Sequence, residues 1–304
     1  GMLQTMQVIL WLVGGIVVAA AGVKLVQNVG ERSSTTLDIL SVVLLAAGIT
    51  AFVYSVGEFS TNVMAGIVAL FAAVVVLGLF AVRQLKLEHP VLNVRPMASV
   101  RFWPACLLVV VSMMTTFSMS VLLPLYFEGA YGMTALVAGL LILPAIACNA
   151  VTSIVGGRVM DARGAWPLLP VGFALIAVGQ TAISMTAASM NSGVVVLLTV
   201  VVYAGVGLVL SPSQTAGLET LPAAEHPHGT ALLNTWNMIA ASFGPSLFIG
   251  LLSSSAVAAG AAGVASDVAQ AIGFAAAVRV AAVIAVVGFA VSLVYARRES
   301  HMSH

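Results

Sequence analysis

Residues 102–126 read FWPACLLVVVSMMTTFSMSVLLPLY, a run of 25 positions with no charged side chain, flanked by Arg101 and Glu128. Wound as an α-helix at about 1.5 Å per residue, such a run is roughly 38 Å long, enough to cross the ~30 Å hydrocarbon core of a bilayer. A membrane strand would alternate apolar and polar side chains over about 10 residues, and this run is continuous. Working outward, similar runs cover 6–27, 37–57, 62–83, 133–156, 166–188, 193–211, 229–252 and 273–296. The sequence therefore predicts an all-α polytopic membrane protein with nine crossings.

Composition agrees. Of 304 residues only 7% are charged and 61% are hydrophobic, with a mean hydropathy of +1.13, whereas soluble domains are about 25% charged. The solvent for much of the surface must be lipid, so the bilayer is the first expected partner. A net charge of +1 with no basic run longer than Arg297-Arg298 leaves nothing to neutralise a phosphate backbone, which excludes nucleic acid. Cys106 and Cys148 lie in apolar stretches without a CxxC pattern and read as small hydrophobes. Residues 6–27 read as a span and not as a cleaved leader, because nothing basic precedes the apolar run and Lys24 follows its core.

Orientation follows from the cations. With alternating crossings, Lys24, Arg32, Arg83, Lys86, Arg95, Arg101, Arg158, Arg163, Arg297 and Arg298 share one side, and only Arg279 falls toward the other, where it is expected to snorkel to the interface. The loaded side is predicted to be cytoplasmic, with the C-terminus inside, in a multi-pass protein of the plasma membrane. Residues 84–101, with Pro90 and Pro96, read as a cytoplasmic linker, and 253–272, rich in Ser, Ala and Gly, as a flexible external loop.

Between the fifth and sixth spans stands Gly156-Gly157-Arg158-Val159-Met160-Asp161-Ala162-Arg163-Gly164. Glycines let helices approach closely, and an acid between two arginines can pair across a turn or cap the next helix. A plain positive-inside loop is the alternative reading of the same residues.

This segment resembles the G-x-x-x-D-x-x-G signature that the major facilitator superfamily carries in a cytoplasmic loop of each six-helix half. Leu123-Pro124-Leu125-Tyr126-Phe127, Gly139 to Pro144, Leu221-Pro222 and His228 to Thr235 are similar to segments of its fourteen-helix drug:proton antiporters, the EmrB/QacA type. The similarity runs from about Leu37 to Arg298. It implies a conformational latch of Gly157, Arg158, Asp161, Arg163 and Gly164. It further implies that the nine spans correspond to the sixth to fourteenth of the family, a fold lacking the first five helices. Residues 1–98 would then be three spans from the N-terminal half and the centre, and 99–304 a six-helix C-terminal half.

In the eighth span Thr230, Asn234, Asn237, Ala241 and Pro245 recur at three- and four-residue steps, a polar stripe unfavourable against lipid. Gly244-Pro245 reads as a helix bend, since proline frees a carbonyl, and it loosely resembles a signature of the same antiporters. Substrate-cavity candidates are Ser112, Thr116, Phe117, Ser120, Asn149, Tyr203, Asn234, Trp236 and Asn237, with helix packing or interface anchoring as the alternative for each. All ten acids lie in loops or at span edges, so no proton site stands at mid-depth. The coupling acid of the resembled family belongs to its first half.

His226 and His228 lack further ligands, and no catalytic constellation appears, so neither a metal site nor an enzyme is expected. The function expected from the resemblance is a proton-coupled multidrug efflux antiporter for amphipathic small-molecule drugs. It needs no cofactor beyond a proton gradient, and the resemblance implies an N-terminally truncated chain with a missing N-terminal half as a further partner. The alternative from another class is a non-transporting membrane scaffold or subunit that pairs with a separate N-terminal half.

Overall fold

The computed structural model describes residues 38–58, 63–87, 94–165 and 168–300. The span expected at 6–27 lies outside the described residues. Eight helices match the other eight runs: α1 (Ile39–Glu58), α2 (Val63–Lys86), α3 (Phe102–Tyr131), α4 (Ala135–Arg163), α5 (Leu168–Thr186), α6 (Ser192–Glu219), α7 (His226–Ala261) and α8 (Ser266–Ser300). Seven of them are long and apolar enough to cross a membrane, and α1 adds a shorter apolar helix over Ile39–Ser55. Among the described residues there is no strand.

Helix ends are set by local chemistry. Thr134 and Asn191 accept hydrogen bonds from the backbone N–H groups of Val137 and Val194, capping α4 and α6, contacts usually worth about 1 kcal/mol each. Gly132 ends α3 at φ +63°, where a side chain would be strained, and the N–H groups of Gly132 and Met133 close back onto Glu128 and Phe127.

Two stretches are more helical than the sequence suggested. The linker between α4 and α5 was expected to begin near Gly157, yet α4 continues to Arg163 and stops at Gly164, whose N–H reaches the Met160 carbonyl. The cation in that last turn complements the helix dipole. The expected external loop 253–272 is also corrected. α7 runs to Ala261 and α8 begins at Ser266, which leaves a turn of four residues closed at Gly263, φ +85°. Alanine is the strongest helix former, and Ala256 packs against Gly273 across the hairpin. At 36 and 35 residues, α7 and α8 reach roughly 50 Å, well beyond the bilayer core.

From α3 onward the helices form a bundle. α6 lies between α4 and α5, α8 packs on α5, α7 and α3, and α3 is central, touching α6, α7 and α8. The α1–α2 hairpin meets this bundle mainly through α7, where the rings of Phe52 and Phe243 are 5.6 Å apart. The main core gathers Tyr126, Phe127, Phe173, Phe248 and Phe274 with many alanines, and a second cluster joins Phe80 to Phe102, Leu232 and Leu233. On the outside, Leu136, Leu140, Leu143, Ile154, Val178, Met185 and Leu197 are exposed. Aliphatic surface on this scale is stable only in contact with lipid or another apolar surface.

Candidate functional site

On α3 the hydroxyl residues climb the helix from core to surface. Ser112 is fully buried, Thr116 and Phe117 are half-buried, and Ser120 is exposed. Each hydroxyl donates to its own helix: Ser112 to Leu108, Thr116 to Ser112 and Ser120 to Phe117, all at 2.8 Å. Their donors are spent within the helix, so toward any ligand they present acceptor lone pairs.

On α7 the predicted stripe divides. Thr230 and Asn234 are exposed, Trp236 is half-buried, and Asn237 is 8% exposed with its Oδ1 buried and unpartnered in the protein. Thr230 donates to the His226 carbonyl at 2.9 Å. α7 passes through Gly244-Pro245 as one helix, and Gly244 faces the Met114 backbone of α3, from which a Cβ would be 3.4 Å away. Pro245 donates no hydrogen bond, so the ladder is weaker at that level.

Asn149 and Tyr203 meet, though through the backbone. The Asn149 amide donates to the Tyr203 carbonyl at 3.0 Å, a tie between α4 and α6. The Tyr203 side chain is 5% exposed and belongs to the main core. One turn on, α6 touches its two neighbours through glycines. A Cβ at Gly207 would strike Thr152 of α4, and one at Gly205 would stand 2.6 Å from the Gly172 carbonyl of α5. The legible signal was the small-residue spacing in Tyr203-Ala204-Gly205-Val206-Gly207, which places successive glycines on opposite faces.

Of the expected latch, Gly157 is half-buried with open space beside its Cα, while Arg158, Asp161, Arg163 and Gly164 are exposed. Among the described residues a close ion pair stands elsewhere. Arg83 of α2 grips Asp38, just before α1, through Nε at 2.9 Å and Nη2 at 3.0 Å. Ser41 donates to the same carboxylate at 2.6 Å, and Gln84 donates to Ser41. The Arg83 hydrogen bonds, helped by Ser41, hold the Asp38 carboxyl at a pKa of about 2. The cation pattern in the sequence places Arg83 on the loaded side and does not pair it with Asp38. The available signal was one acid and one base at adjoining ends of consecutive helices.

No group of three His, Cys, Asp or Glu that could hold a metal occurs among the described residues. Every described acid lies within four residues of a helix end. The arrangement is thus a helical bundle offering uncharged hydroxyl and amide groups among apolar walls, without an assembled catalytic centre among these residues.

Comparison with known proteins agrees with this chemistry. The chain is 31% identical over 241 residues to the lincomycin resistance protein LmrB of Listeria monocytogenes, covering 78% of this chain and 51% of that protein. Against LmrB of Bacillus subtilis it is 31% identical over 237 residues, covering 76% and 49%. It is 32% identical over 271 residues to YcnB of Bacillus subtilis, described as an uncharacterized MFS-type transporter, covering 88% and 57%. The chain therefore spans about half the length of the curated relatives it matches. A family model described as Major Facilitator Superfamily matches residues 39–245, from the start of α1 to Pro245 of α7. That match covers more than half of the sequence and nearly the whole run of described helices up to the α7 proline, and on it the chain belongs to the major facilitator superfamily.

Proposed function

We propose that these residues form part of a drug-efflux transporter, with residues 99–304 as one six-helix half and 1–98 as spans preceding it. The observation that carries this reading is the uncharged polar surface on α3 and α7. Ser120 and Asn234 stand exposed, next to half-buried Thr116, Phe117 and Trp236, on helices otherwise built for lipid or core. A hydroxyl or amide facing hydrocarbon is costly, so such groups are better accommodated beside a hydrated cavity. Apolar walls with few fixed polar groups suit amphipathic small molecules. Relatives named for lincomycin and multidrug resistance support drugs as the kind of substrate.

In this reading α7 rocks about Gly244-Pro245. The segment from Gly157 through Arg158, Asp161 and Arg163 to Gly164 acts as a latch at the cytoplasmic end of α4. Transport is driven by exchange with protons, and since no described acid stands at mid-span, the coupling acid lies outside the described residues. The C-terminus is cytoplasmic.

The test is alanine replacement of Asn234 and Asn237, singly and together, in the protein as its gene encodes it. Readouts are cellular resistance and dye efflux across a panel that includes lincomycin. The expected result is a several-fold loss of resistance to some compounds at normal membrane abundance. Unchanged resistance across the panel would count against a cavity at this face. Dissipating the proton gradient should abolish efflux, and efflux that persists without it would refute proton coupling.

A further inference from the structure

Gln180 on α5 has no exposed surface, and neither its Nε2 nor its Oε1 has a hydrogen-bond partner in the protein. Two contact layers bracket its depth along the bundle. Toward the inner end of the bundle, Gly288 of α8 faces α3 and α5, and a Cβ there would be 2.9 Å from Val111 and 3.0 Å from the Phe173 ring. Toward the outer end, the Tyr126 hydroxyl of α3 donates to the Ala187 carbonyl at 3.0 Å, just beyond α5, and the Tyr126 ring stacks on Phe274 of α8 at 4.3 Å.

Seven residues are nearly two helical turns, so a step of seven returns to the same face about 10 Å further along. From the inner layer that step leads to Ser118, Gln180 and Ala281, and a second step along α5 and α8 leads to Ala187 and Phe274 of the outer layer. Ser118, Gln180 and Ala281 are all buried, at 0%, 0% and 2% exposed. By helical register the amide thus lies midway between two aromatic-capped layers, at the level of Ser118 on α3 and Ala281 on α8.

We propose that this middle layer of α3, α5 and α8 is a binding site for ordered water, held by the Gln180 amide. The ligand class follows from the donor and acceptor balance. The amide offers donors at Nε2 and an acceptor at Oε1. A cation would satisfy only Oε1 and an anion only Nε2, and an ion would need a countercharge, whereas the buried residues of this layer are uncharged. Water donates and accepts, and a small side chain such as Ala281 leaves room for it. The serine hydroxyls complete the network. Ser118 already donates to the Thr115 carbonyl at 3.0 Å, and Ser184, one turn beyond Gln180, donates to Thr181 at 2.8 Å. Both retain lone pairs. A water accepting from Nε2 donates onward to a serine oxygen, and a second water donates to Oε1.

The test uses the whole purified protein in lipid nanodiscs, with glutamine labelled by carbon-13 at the side-chain carbonyl. Subtracting the infrared spectrum of Gln180→Leu, or of Gln180→Asn if the leucine variant does not fold, isolates the Gln180 band. The expected band is that of a hydrogen-bonded amide whose protons exchange in deuterium oxide. In Ala281→Leu, which adds bulk at the level of the amide, the band moves to higher wavenumber and exchange slows at least tenfold. A second readout needs no substitution: two solvent peaks beside Gln180 in a high-resolution map of the unmodified protein. A wild-type band at the unbonded position with non-exchanging protons overturns the proposal, and so does a map in which a side chain occupies that space.

Discussion

Gly207 and Gly157 lie on opposite sides of the same physical question. Gly207 has no room for a β-carbon, because Thr152 and the Asn149 backbone of α4 occupy its place, whereas nothing lies within 4 Å of the position a Cβ would take at Gly157. Gly207→Ala should therefore push α4 from α6 and cost on the order of 1–3 kcal/mol, the usual range for overpacking. In a detergent thermal-unfolding assay it should lower the midpoint by several degrees, whereas Gly157→Ala, in open space within α4, should not lower it. Loss of transport in Gly157→Ala at full stability would then report on the latch, while an equal loss of stability in both variants would refute this account of the two sites. Asn149→Ala removes the bond to the Tyr203 carbonyl. A bond between membrane helices contributes about 0.6–2 kcal/mol, so a small drop in the same midpoint is expected. The sequence could nominate Asn149 and Tyr203 as polar or aromatic positions within spans. It could not show that the amide meets the tyrosine's backbone, because that depends on how α4 is rotated against α6.

At the scale of elements, the α1–α2 hairpin is fastened by Asp38, Ser41, Arg83 and Gln84. The folded Asp38 titrates near 2, below its ordinary 3.8, so the clamp contributes fully above that ordinary value and is lost as pH falls toward 2. Asp38→Asn should mimic the acid limit at neutral pH. A spin-label pair across the hairpin ends, held at one separation in the native protein, should show a broader and longer distance distribution in Asp38→Asn, and in the native protein as the pH falls between about 4 and 2; a distribution independent of both would remove the clamp from this role. All eight described helices were legible because uncharged runs of membrane length leave no other way to satisfy the backbone. What misled was composition. Ser, Ala and Gly between 253 and 272 read as linker chemistry, yet Ala256 and Gly273 are small because two helices touch there. Likewise, the stretch from Gly157 to Arg163 reads as a loop from its charges, but those charges lie on the last turns of α4 and can reach water from a helix end.

For the whole molecule, the distribution of cations over the alternating helices is the strongest constraint on orientation. The ends of α2, α4 and α8 and the start of α3 carry Arg83, Lys86, Arg158, Arg163, Arg297, Arg298 and Arg101, and helix alternation puts all of them on one side. Lys and Arg translocate poorly in short connections, so that side should be the cytoplasm. Arg279 is exposed on α8, thirteen residues beyond its first residue, Ser266, and its long stem is expected to reach toward water at the opposite interface. Replacing Cys106 and Cys148 by alanine and adding one cysteine at a time tests this arrangement directly. Thr134→Cys and Ala262→Cys, in the exposed turns after α3 and α7, should react with a membrane-impermeant maleimide in intact cells. Ala162→Cys and Ala223→Cys, at the other ends of the bundle, should react only after permeabilisation. If Ala162→Cys and Thr134→Cys react from the same side, α4 does not cross the bilayer, and the placement of Arg158, Asp161 and Arg163 at a cytoplasmic latch fails.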